Sequence, residues 1–143
     1  MGLKAALDQL ATWSITGITN LGLDDLKGAP AEADLPCVVP RVSGTGGEVL
    51  SPLGISQDQG RFVAHVDHLL LVSGLGMGLE SEREYEALAH VDNYLAAVAD
   101  DLDLGGTLLE ALSIADSHAG AEMFYGTVYY AVVFRLRLVL QVT

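Results

Sequence analysis

The chain is short of several residue types, and each shortage closes off a class of protein. It has one cysteine, Cys37, so a disulfide framework within the chain and a cysteine-rich zinc site are both excluded. In Leu35-Pro36-Cys37-Val38-Val39 that thiol reads as a small buried apolar residue. A catalytic thiol would need a histidine partner that the sequence does not place beside it. Bases are scarce: 7 Lys and Arg stand against 19 Asp and Glu, a formal charge of −12. Wrapping nucleic acid by neutralising phosphates needs a basic face, so that mode of binding is excluded. No apolar run approaches the roughly 20 residues of a membrane helix. No apolar leader opens the chain, so an intracellular setting, or a particle assembled inside a cell, is expected.

What is present is globular. At 143 residues and 50% hydrophobic composition, the expectation is one α+β domain over 1–143. Leu3, Leu7, Leu10 and Trp13 or Ser14 follow helical spacing, with alanines between them, so a short amphipathic helix over 3–14 is expected. Ser14 to Thr19 reads as a short strand or extended turn. Leu35 to Val42 reads as a strand that Pro36 and Pro40 push to an edge. Five glycines and three serines in 43–60 predict a flexible hairpin or insertion. Arg61 to Ser73 is a further strand, and its run Leu69-Leu70-Leu71-Val72 calls for cover on both faces.

A helix is expected from about Leu79 to Asp100. Leu88, Val91, Leu95, Val98 and Leu102 form its apolar stripe, and Leu104-Gly105-Gly106 closes it. Thr107 to Ala115 then reads as a strand and Asp116 to Ala121 as a polar turn. Phe124 to Val142 is the strongest strand. Phe134, Leu136, Leu138, Leu140 and Val142 alternate with Arg135, Arg137 and Gln141. A strand that long is expected to reach past its own sheet. The order predicts a mainly antiparallel four-stranded sheet with a long helix on one face and a short N-terminal helix.

Chemistry has few anchors. His65-Val66-Asp67-His68 puts His65 and Asp67 on one strand face, where His90 or His118 would complete a metal site. Against that stands a plain polar strand face. Gly74-Leu75-Gly76-Met77-Gly78 follows a strand and precedes a helix, but its third glycine falls one residue early for a dinucleotide loop. The glutamates behind it would repel a pyrophosphate. Eight acids and one base lie between Glu80 and Asp103, on a helix face rather than in a cleft, so paired-carboxylate catalysis has no support. Arg135 and Arg137 are either a solvated pair or a contact to the acidic helix of a neighbouring subunit.

The layout resembles the tail-terminator, or head–tail joining, proteins of long-tailed bacteriophages. The resemblance runs over most of the chain. An N-terminal helix leads to Ile15-Thr16-Gly17-Ile18-Thr19-Asn20 and then to a strand opened by Asp34-Leu35-Pro36. The strand His65 to Val72 precedes a helix ending in Asp103-Leu104-Gly105-Gly106-Thr107. Tyr125-Gly126-Thr127-Val128-Tyr129-Tyr130 then runs into Phe134-Arg135-Leu136-Arg137-Leu138. The resemblance implies a non-enzymatic virion subunit without cofactor or membrane contact. Such subunits form a ring, usually a hexamer, that caps the tail tube, ends its growth and joins it to the head connector. Its partners would be copies of itself, the tube protein, the connector and double-stranded DNA passing unbound through the lumen. On that footing Phe134, Arg135, Leu136 and Arg137 are expected at the subunit interface. Glu80, Glu82, Glu84, Glu86, Asp100, Asp101 and Asp103 are expected to face the lumen, where they would repel phosphate. Within the same class stand another neck, head-completion or minor tail protein. From a different class, the alternative is a small metal-dependent or nucleotide-binding enzyme built on His65–His68 or Gly74–Gly78.

Overall fold

The computed structural model describes residues 2–22, 28–41, 55–58, 60–74 and 80–141, and the side chains of these except 55–58 and 80–83. Helix α1 spans Leu3–Leu10 and strand β1 Thr19–Asn20. Strands β2 (Cys37–Arg41), β3 (Ile55–Asp58) and β4 (Arg61–Gly74) follow. Helix α2 spans Glu80–Asp100, and β5 (Ser113–Phe124) and β6 (Thr127–Gln141) close the chain. The fold is α+β. The sheet runs β1-β2-β4-β6-β5, with β3 paired to β4 beside β2. Its antiparallel centre is β2-β4-β6-β5; β2, β4 and β6 lie where strands are expected, whereas β5 overlaps the expected strand 107–115 at Ser113–Ala115 alone. The two added strands are β1, which runs parallel to β2, and β3.

Alternation decides what each face does. Ala64, Val66, Leu70 and Val72 of β4 and Val132, Phe134, Leu136, Leu138 and Leu140 of β6 point to one face. There they are buried with Ala6 and Leu10 of α1 and Ala87, Tyr94 and Val98 of α2. Leu69 and Leu71 point the other way and are buried with Cys37, Val39, Phe124, Tyr129, Ala131 and Val133, against which Leu21 and Leu35 pack. The Leu69–Val72 run is therefore covered on both faces, as its composition requires. Burial of Cys37, helped by the nearby Asp34 carboxylate, pushes its thiol up to about 12, which holds it in the neutral form. Past β1 the outer edge of β2 has no strand partner among the described residues, so Pro40 costs no ladder bond there.

Several expectations change. The stretch 116–121 is no turn but the middle of β5, while 107–112 forms the bend after α2. Its polar, glycine-containing composition hides a strand that β6 imposes by pairing from Ser113↔Arg137 to Phe124↔Thr127. The long terminal segment is divided by a two-residue turn. Tyr125 at φ 51° and Gly126 at φ 77° give the two positive-φ positions of a type I′ hairpin. Nor does β6 outrun its sheet, since β4 and β5 flank it along most of its length. Most of the expected 43–60 insertion lies outside the described residues, but its end is β3, hairpinned onto the start of β4.

Helix α2 is rolled relative to its expected stripe. Val98 is buried and Val91 half-buried, but Leu88 is 62% exposed, Leu95 41% and Leu102 42%. Ala87 and Tyr94 take the core positions instead. The cause is Tyr94. Its ring stacks on Phe134 at 4.2 Å, and its hydroxyl hydrogen-bonds His68 Nδ1 at 2.9 Å. A buried phenol finds a polar partner only at that orientation of the helix.

Candidate assembly surfaces

The His65–His68 segment is split by the pleat. His68 is buried on the helix side, edge-on to Tyr94 and 6.0 Å from the Trp13 ring. Complete burial lowers its pKa from 6.5 to about 4, so it is neutral near pH 7. Asp67 is buried on the opposite face, where arginines hold it. Arg41 NH2 lies 3.4 Å from Oδ2 and Arg135 Nε 3.2 Å from Oδ1. His65 and Asp67, the two strand residues of the metal-site alternative, share that face as the alternation requires. Among the described residues no three His, Cys, Asp or Glu side chains converge to hold an ion. Residues 75–79 of the glycine loop lie outside the described residues.

The same sheet face carries an ionic network that no local pattern announces. Arg41 reaches from β2 past β4 and β6 to Glu122 Oε1 on β5, at 2.9 Å. His118 Nε2 lies 3.8 Å from the other Glu122 oxygen. Glu110, in the bend before β5, pairs with both Arg61 and Arg137. A buried carboxylate between two guanidiniums offsets its desolvation only while both contacts last. The network links side chains of β2, β4, β5 and β6 across one face of the sheet.

The expected interface set is corrected by this placement. Phe134 and Leu136 are 3% and 0% exposed and are spent in the core of their own chain. Arg135 and Arg137 are partly exposed but are held by Asp67 and Glu110 of the same chain. They are neither free cations nor a solvated pair.

The expected lumen acids divide as well. Glu84, Glu86, Asp100 and Asp103 are exposed on α2 and its exit. The side chains of Glu80 and Glu82 lie outside the described residues. Asp101 is withdrawn from the set, because it ties the N-terminal segment to the bend. Its Oδ2 accepts hydrogen bonds from Trp13 Nε1 at 2.9 Å and Gln9 Nε2 at 3.1 Å, and its Oδ1 from the Gly105 amide. Burial pushes its carboxyl up, but these bonds outweigh burial and hold it below the ordinary carboxylate range. Gly105 sits at φ 64°, a backbone angle that favours glycine.

Among the described residues, two surfaces are left without cover. One is β5. It pairs with β6 alone among the described residues. Of its middle, Ala115 to Ala119 are all exposed although they alternate between both faces. Helix α2 packs over β4 and β6. The hairpin tip adds Met123 and Tyr125, both more than half exposed. The other surface is the outer flank of α2, where Tyr85 is 79% exposed beside Leu88, Leu95 and, just past the helix, Leu102. Contiguous apolar side chains left on a surface mark contact sites. No helix among the described residues is long and apolar enough to cross a membrane. Compared with known proteins, the chain matches no protein-family model and no curated protein.

Proposed function

We propose that this chain is a structural subunit of a phage virion, a tail terminator that assembles with copies of itself into a ring, expected to be hexameric, at the head–tail junction. The observation that supports this most is β5. A twelve-residue strand with one strand partner among the described residues, and with its middle from Ala115 to Ala119 exposed, is a liability in an isolated domain and a natural joint in an assembly. In a ring, the β5–β6 hairpin of one subunit lies against the next and removes that edge from water.

The rest of the molecule suits the role. The pairing of Arg41 with Asp67 and Glu122 ties the β5–β6 hairpin to β2 across the sheet. Exposed Glu84, Glu86, Asp100 and Asp103 give α2 a surface that repels phosphate, which a wall beside passing DNA requires. In this reading the ring caps the tube, stops its growth and presents its other side to the connector. It performs no chemistry.

Light scattering and negative-stain microscopy of the purified protein, alone and with polymerising tail-tube protein, test this. The expected result is a closed ring of several subunits and tubes of arrested length. Ala119→Arg, on the exposed middle of β5, is expected to leave the fold intact and abolish the ring. A protein that stays monomeric at all concentrations, and leaves tube growth unchanged, overturns the proposal.

A further inference from the structure

The outer flank of α2 carries an inference independent of the ring. The helix has two apolar sides, about a quarter turn apart at 100° per residue. Ala87, Tyr94 and Val98 face the sheet. Tyr85, Leu88 and Leu95 face water and continue to Leu102. Steps of three and seven residues are those of a seam that receives another helix. The roll that sends Tyr94 inward leaves three leucines outside, at a cost in apolar exposure that a partner would remove.

Charge selects the partner. Every charged side chain described on α2 is acidic: Glu84, Glu86, Asp92 and Asp100 are all exposed, and Asp103 follows in the exit bend. A second α2 laid along this one would set carboxylates against carboxylates. The arginines that a second copy could offer from its sheet, Arg41, Arg61, Arg135 and Arg137, are engaged by carboxylates of their own chain. We propose that this flank seats an amphipathic helix of a different protein, one whose apolar stripe is bordered by lysine or arginine. Leucines supply the buried contact and the flanking acids select for the basic border.

The probe is a labelled synthetic helix with leucine at the two seam positions of each heptad and lysine beside them, titrated into the full chain and followed by fluorescence anisotropy. Wild type is expected to bind it and to ignore the same peptide with glutamate for lysine. Leu88→Ser with Leu95→Ser is expected to weaken binding about tenfold or more with an unchanged Tm, since both positions are exposed. Asp92→Lys, which keeps every leucine, is expected to weaken it several-fold.

Equal binding by wild type and the double serine variant would show mere attraction of a cation to an acidic protein and would overturn the proposal. So would no binding by wild type, equal binding of the glutamate peptide, or an Asp92→Lys variant that binds like wild type. A double serine variant that dissociates a wild-type oligomer would make a second copy the occupant and overturn it too. A ring that light scattering shows intact in the double serine variant, or no ring at all, leaves this result untouched.

Discussion

Strands β5 and β6 are hydrogen-bonded neighbours with opposite surroundings. Almost every residue of β6 from Tyr129 to Leu140 is buried or half-buried apart from Arg135, whereas most of β5 is exposed. One strand is extended because its two faces close two cores. The other is extended because its neighbour supplies a ladder. Pairing alone thus carries a polar, glycine-containing segment into a sheet and leaves its middle exposed.

The largest expected effect lies on the β6 side. Leu136→Ala empties a fully buried site and is expected to destabilise the chain by about 3–4 kcal/mol in urea unfolding. The mirror change on β5, Ser117→Ala, is expected within about 0.5 kcal/mol of wild type. A β5 substitution as costly as the β6 one would break the comparison.

The partner across β4 comes next. His68 binds a proton at about pH 4 in the folded chain against 6.5 ordinarily. Between those values the unfolded state takes up more protons. The stability due to neutral His68 is therefore complete above pH 6.5 and lost as pH falls toward 4, by about 3 kcal/mol in all. Asp101, whose carboxyl is held low, adds a further loss at more acidic pH. Urea midpoints measured from pH 7 to 4 should fall steeply, and His68→Leu should flatten the slope. A wild-type midpoint unchanged across that range would contradict a neutral buried imidazole.

The hairpin joining the two strands is expected to be intermediate. Gly126 at φ 77° admits a branched side chain only with strain, so Gly126→Val should cost about 1–2 kcal/mol. The smallest effect sharpens the comparison most. Ala119→Arg should leave the urea midpoint of the monomer unchanged within error while removing the ring. If it unfolds the monomer instead, β5 is a structural strand and not an assembly surface.

Much of this was readable in the residues. The alternation from Phe134 to Leu140 placed β6 and its faces. The glutamates after Gly78 mark the start of α2 to within a residue, because helix ends are chosen by local chemistry, whereas Leu104-Gly105-Gly106 does not close the helix but lies in the bend beyond its end at Asp100. The Leu69–Val72 run announced a strand covered twice. The β5 segment was misread because Asp116-Ser117-His118 and Gly120 carry turn propensities, which pairing to a well-placed neighbour outweighs.

The sequence by itself determined both helices, the strands β2, β4 and β6, the two-sided burial of the Leu69–Val72 run and an excess of acid gathered on one helix. Those follow from periodicity and composition, which act over a few residues. Only the tertiary structure decided the roll of α2, since its three- and four-residue spacing served two adjacent faces equally well. The choice fell to Tyr94, held by Phe134 and His68 from other strands. Tertiary structure likewise decided that Asp67, Glu110 and Glu122 consume the arginines, because these partners are far apart in the chain and meet only when the sheet has formed.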